Sequence, residues 1–204
     1  MLLFIVKILT ETNSFQNETN TEDLEFNKVA ADDMDIDEMK KRTENEIVKG
    51  GGFLGKFVPL ILTICKNPGK YNNKPLQNAS LITLSKFMQV SSIFCDDNLQ
   101  LLVTICEKSQ IRGRQENAII ALGALQYRFP NNLEPWTPHM YGMLKNSNPS
   151  VRYNSILILT DLIVNEMIKV RSHISSLAVC VVDEDVKIAS ESSFFFFSFF
   201  DWND

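Results

Sequence analysis

Apolar residues at helical spacing recur about every 37 residues along most of this 204-residue chain, and that recurrence restricts it to stacked helices. Phe57, Leu60, Ile61 and Ile64 fall at i, i+3, i+4 and i+7, the stripe of an amphipathic helix. Leu81, Leu84, Phe87 and Met88 form a second stripe, and Leu99, Leu102, Val103 and Cys106 a third. Downstream come Ala118, Leu122, Leu125 and Phe129, then Trp136, Met140 and Met143, and later Ile174, Leu177, Ala178 and Val181. Residues 156–164 are apolar nearly all round, which predicts burial on several sides. Breakers separate the stripes at Asn67-Pro68-Gly69, at Pro130-Asn131-Asn132 and from Asn146 to Pro149. Pro135, Pro138 and Pro149 suit helices only in a first turn. Asp96 and Asp97 read as acids at a helix start.

Aligning the stripes gives the repeat. In second helices Leu99, Trp136 and Ile174 stand 37 and 38 residues apart. In first helices Leu76-Gln77, Arg114-Gln115, Val151-Arg152 and Val186-Lys187 stand 38, 37 and 35 apart. Two helices per period leave each pair with an apolar face that only a neighbouring pair can cover. The Trp, Gly, Tyr and Ala pattern of tetratricopeptide repeats is missing, whereas Asn148-Pro149-Ser150-Val151-Arg152 opens a helix in the manner of HEAT repeats. The expected fold is therefore all-α, an armadillo-like α-solenoid of HEAT-type helical repeats with about three and a half repeats and both ends incompletely covered.

Residues 11–48 hold twelve acids and four bases, while the whole chain carries a net charge of -5, so the remainder is slightly basic. With few large apolar residues, this segment cannot offset its ordering entropy by burial. Residues 1–48 read as a mostly disordered acidic lead-in, 49–190 as the repeat segment, and 191–204 as an aberrant Phe-rich tail. That tail packs six phenylalanines into residues 194–200. The opening MLLFIVKILT is interrupted by Lys7, too short to span a bilayer and a poor signal peptide. Cys65, Cys95, Cys106 and Cys180 never approach C-x-x-C spacing and read as buried thiols of a reducing compartment.

Catalytic chemistry is not visible. His139 and His173 lie 34 residues apart with no ligand-spaced Cys or carboxylate, so no metal site is expected. No nucleophile motif occurs, and Gly50-Gly51-Gly52 lacks the Lys-Ser/Thr of a phosphate loop. An enzyme, a cofactor and a small-molecule substrate are not expected. From Arg112 to Arg171 seven bases face four acids. Arg112, Arg114, Lys145, Arg152, Lys169 and Arg171 are the candidate contacts to DNA phosphate or a partner. Arg152, Asp161 and Trp136 are also expected as fittings between repeats, with Arg114 in the same structural class as Arg152.

The run RFPNNLEPWTPHMYGMLKNSNPSVRYNSILILTDLIVNEMIKVRSHISSLAVCVVDED closely resembles the C-terminal HEAT region of the condensin complex subunit 1 family, the non-SMC HEAT-repeat subunits of condensin. The likeness covers roughly residues 29–190 and is most specific in Arg-Phe-Pro-Asn and Trp-Thr-Pro. Ala124 departs from an Asp often found there, and after Ser190 the expected amphipathic helix gives way to FFFFSFFDWND. The chain also lacks the family's large N-terminal portion and reads as a fragment or truncated gene model. The resemblance implies a non-catalytic scaffold that binds the condensin kleisin and SMC subunits, contacts chromatin or DNA, and supports mitotic chromosome condensation. It implies no membrane partner, and a location in the nucleus and on mitotic chromosomes with a cytoplasmic pool. A generic helical-repeat adaptor of transport or phosphatase-scaffold type is the alternative.

Overall fold

A computed structural model describes residues 30–169 and 174–202, with side chains described at 38–111, 113–169 and 174–197. All regular elements among the described residues are helical. They fall into two compact units that divide after Leu99.

The first unit opens with α1 (Ala30–Lys49). Its exposed turns carry the i, i+4 pair Glu38 and Arg42. Its last turns pack inward, with Val48 fully buried and Glu44 largely so. Lys49 pairs with Asp97, and Gly50 N–H caps the end on Glu46 O at 2.7 Å. The lead-in expected to lack structure as far as residue 48 is thus helical from Ala30, because one buried valine and an ion pair anchor its end. Residues 1–29 lie outside the described residues.

A 3-10 turn (Gly55–Phe57) leads into α2 (Val58–Lys66), which buries Val58, Ile61, Ile64 and Cys65. Leu60, expected in that stripe, is 42% exposed, and Val58 takes the inward position. In α3 (Lys74–Val90) the Asn73 side chain accepts from Leu76 N–H at the N-terminus, and Leu81, Leu84, Phe87 and Met88 are all fully buried. Burial of such a side chain contributes about 1.5–3 kcal/mol. α4 (Ser92–Lys108) starts one turn before the predicted acids: Ser91 Oγ accepts from Phe94 N–H at 3.3 Å, and Asp96 and Asp97 lie inside the helix. A serine cap, not a charge, sets that boundary.

The second unit is built on α5 (Arg112–Arg128), α8 (Pro149–Val164) and α10 (Val186–Trp202), whose starts are 37 residues apart. The segment opposite α5 is broken into α6 (Pro130–Leu133), a 3-10 turn (Glu134–Trp136), α7 (Thr137–Gly142) and a second 3-10 turn (Met143–Lys145). The segment before α10 is α9 (Ile174–Val179) followed by a 3-10 turn (Cys180–Val182). Burial follows the same period. Val103, Met140 and Leu177 are buried, as are Cys106, Met143 and Cys180. At one shared position each first helix places a small residue in the core, Ala118, Ser155 and Ser192, all fully buried. Ser155 Oγ bonds Val151 O within its own helix at 2.7 Å, and Ser192 Oγ bonds Leu177 O at 2.9 Å.

Trp136 departs from its predicted core place and is only half-buried, with its ring 5.5 Å from that of His139. The 3-10 turn that contains it has three residues per turn, which shifts the phase, and Leu133 fills the inward position instead. α8 is not buried all round: Val151, Ser155, Ile156, Leu159, Leu162 and Ile163 face inward, while Val164 is 66% exposed. The Phe-rich segment, set apart above as a tail, continues α10 without a break, and Phe195 in it is buried.

Candidate functional site

The distinctive polar chemistry lies at the corners between second and first helices. Ser109 Oγ accepts from Ile111 N–H, Asn146 Oδ1 from Asn148 N–H and Asp183 Oδ1 from Asp185 N–H, each two residues on. These are three versions of one turn, spaced by 37 residues. Asn148 and Asp185 then cap the following helices through Ser150 N–H and Lys187 N–H.

A second kind of bond recurs once per repeat, within each unit separately. Gln77 Nε2 donates to Pro68 O at 2.9 Å and Tyr71 O at 2.7 Å, in the corner before its own helix. Gln115 Nε2 reaches Glu107 O at 3.4 Å, and Arg152 Nη1 reaches Asn146 O at 3.0 Å. Arg152 adds a bidentate pair to Asp183, Nε to Oδ2 and Nη2 to Oδ1, both at 2.8 Å. Both side chains are mostly shielded from water, at 15% and 11% exposure. The Arg152 guanidinium holds the Asp183 carboxyl below the usual carboxylate range, and Asp183 raises Arg152 in turn. Arg152 therefore ties two successive corners together.

At the far end of the first helices, Tyr127 OH donates to Asp161 Oδ2 at 2.8 Å, and Asn165 Nδ2 donates to Asp161 Oδ1 and to the Tyr127 hydroxyl oxygen. Burial and the Asp161 carboxylate push the Tyr127 hydroxyl up. Two clefts lie at opposite ends of α5. A polar one of about 350 Å³ lies between the corners, lined by Lys108, Ser109, Gln115, Asn146 and Asn148 among others. Another of about 430 Å³ is lined by residues that include Gln126, Glu134, Thr137, Glu166 and Lys169.

The described members of the predicted basic ridge differ in exposure. Arg114 is 2% exposed, so its guanidinium lies in the interior and not against a phosphate. Arg152 commits its fork to Asp183 and the Asn146 carbonyl. Lys145 and Lys169 are exposed. The Arg112 side chain and all of Arg171 lie outside the described residues, as does His173. His139 Nδ1 pairs with Glu107. Among the described residues no group of three or more His, Cys, Asp or Glu could hold a metal, and no helix is long and apolar enough to cross a membrane.

Asp183 and Tyr127 were missed in the sequence, and Gln77 and Gln115, matched there in position to Arg152, were given no role, although Asn146-x-Asn148 and Asp183-x-Asp185 carry a visible signal. That signal also corrects the last register. Ile188, which is fully buried, is the equivalent of Val151, and Ala189 that of Arg152. The proposed match Val186-Lys187 is two residues early, and Val186 is 80% exposed.

Residues 114–202 match the family model described as non-SMC mitotic condensation complex subunit 1. The match includes most of the Phe-rich segment, so that segment is not foreign to the family pattern. Condensin complex subunit 1 of Xenopus laevis is 38% identical over 191 residues, covering 93% of this chain and 14% of the relative. The Homo sapiens protein of that name is 38% identical over 186 residues, 91% of this chain and 13% of the relative. That of Saccharomyces cerevisiae is 30% identical over 186 residues, 91% of this chain and 16% of the relative. The chain thus spans about one seventh of the length of the frog and human relatives. With its all-helical repeats and these matches, the chain belongs to the condensin complex subunit 1 family.

Proposed function

We propose that this chain is part of a non-catalytic HEAT-repeat scaffold of a condensin complex, which supports mitotic chromosome condensation by holding kleisin and SMC subunits and contacting chromatin DNA. It acts in the nucleus and on mitotic chromosomes, with a cytoplasmic pool. The observation that carries this reading is the 37-residue ladder of corners inside the matched residues 114–202. Such a ladder holds helices in fixed register and offers long surfaces for other chains, without groups arranged for chemistry.

DNA contact in this reading moves from the arginines to the corners. Lys108 and Lys145 are both exposed, 37 residues apart, at equivalent places before first helices. Each phosphate that they neutralise adds to the salt dependence of binding.

The test is purification of the tagged full-length protein from mitotic cells. Kleisin and SMC subunits should accompany it in comparable amounts, and their absence would sink the assignment. Recovery of nuclear-transport or phosphatase subunits in their place would favour the adaptor. DNA binding of the same complex should fall with rising salt, and Lys108→Ala with Lys145→Ala should flatten that slope.

A further inference from the structure

The larger cleft, of about 430 Å³, lies at the C-terminal ends of α5 and α8, and its walls come from residues 126–138 and 166–169. Gln126, in the last turn of α5, lines it and is 1% exposed. Its Nε2 donates to Met167 O at 3.4 Å, which fixes the end of the amide that faces this carbonyl. Oε1 is the end left over, and it has no hydrogen-bond partner among the described residues. A buried acceptor without a donor is rare in a folded chain, because its lost hydration is not replaced. Gln126 Oε1 thus marks a place where one donor is wanted.

The charges around the cleft set the sign of the group that can bring this donor. Glu134 and Glu166 line it, both exposed, and neither carboxylate makes an ion pair or hydrogen bond among the described residues. The C-terminal ends of two helices add the negative ends of their dipoles. Pro138 and Met167 offer an apolar wall to an alkyl stem. Lys169 lines the cleft as well but is exposed and leaves Oε1 unpartnered.

A cation with several N–H donors in one plane and an apolar stem meets all these demands, and arginine carries that group. A phosphate has no donor for Oε1 while it is ionised, and both glutamates repel it. We propose that this cleft takes an arginine side chain from a partner protein, its guanidinium donating to Gln126 Oε1 and pairing with Glu134 and Glu166. Lys169, counted in the sequence among the candidate contacts to DNA, opposes this occupant by like charge. The site is separate from the corners, which lie at the other end of α5.

Titration of the nitrogen-15-labelled 204-residue chain with the capped peptide Gly-Gly-Arg-Gly-Gly, followed by NMR, tests this. The Gln126 side-chain amide signal should shift saturably, with half-saturation at about 1 mM. The same peptide with citrulline, which keeps the shape and removes the charge, should bind at least about tenfold more weakly. Gln126→Met keeps the volume without the acceptor. It should leave the circular dichroism spectrum unchanged and weaken arginine binding at least about fivefold, read at the backbone signals of Thr137 and Met167. Glu134→Gln and Glu166→Gln should each weaken binding about threefold, and Lys169→Gln should tighten it about twofold, the reverse of its effect on a phosphate contact. No saturable shift at Gln126, equal binding of the citrulline peptide, or a shift of these signals by a short DNA duplex and not by the peptide would each overturn the proposal. Should Gln126→Met unfold, the exposed positions decide: arginine binding unchanged in both Glu134→Gln and Glu166→Gln would also overturn it.

Discussion

Gly123 on α5 lies so close to Ile158 on α8 that a Cβ built on it would stand 2.6 Å from Ile158 Cγ2. The approach of the two first helices is set by the absence of one methyl group. Gly123→Ala should gain about 1 kcal/mol of helix propensity but lose about 1–3 kcal/mol to overpacking. A net destabilisation of up to about 2 kcal/mol is expected in urea denaturation. Ile158→Ala vacates the clashing atom, so the double variant should be more stable than the two separate losses imply. Strict additivity would show that the close approach does not govern the pair.

Arg152 and Asp183 make stability depend on acid. The Asp183 carboxyl titrates below its unfolded value near pH 4, so the pair's contribution is fully present above about pH 5. It is lost as pH falls through the lowered folded value. Asp183→Asn should cost about 2 kcal/mol at pH 7 and much less at pH 3. A penalty equal at both pH values would show that the carboxylate charge does not carry it.

Glu166 ends α8 with φ of 58°, in the left-handed region that favours glycine. Its N–H bonds Ile163 O at 3.0 Å, and Met167 N–H bonds Leu162 O at 2.8 Å, the pattern of a Schellman helix end. Glu166→Gly should stabilise by about 0.5–1 kcal/mol, and Glu166→Val should destabilise by a similar amount. Thermal denaturation of the two variants must move in opposite directions.

Val48 anchors α1, and Asp in its place would put a charge in a fully buried site. Hydrogen exchange should then lose protection across residues 40–49 while residues 81–88 keep theirs. Unchanged protection at 40–49 would show that the Lys49–Asp97 pair holds the helix alone.

Most of the fold was legible because its stripes are buried in the register that their spacing implies. Leu99, Leu102, Val103 and Cys106 are all in the core. The misreadings have local causes. Trp136 left the core because a 3-10 turn, invisible to a search at 3.6 residues per turn, rotates the helix there. Val186-Lys187 was matched on chemical likeness to Val151-Arg152, whereas the corner bonds at Asn146 and Asp183 set the register. Residue type also does not say whether a guanidinium faces water. Arg114 is interior, and Arg152 finds a carboxylate 31 residues away in sequence.

The four cysteines give this chain an internal clock. Each is at most 3% exposed, with Cys65 and Cys95 in the first unit and Cys106 and Cys180 in the second. Burial, helped by Asp96 and Glu107, pushes the thiols of Cys95 and Cys106 up to about 12, so they stay protonated and inert while the helices are closed. A thiol dye at neutral pH thus marks opening events and nothing else. With two cysteines of one unit replaced by serine, the labelling rate times the opening of the other, and the cooperativity of the repeats becomes a measurable interval.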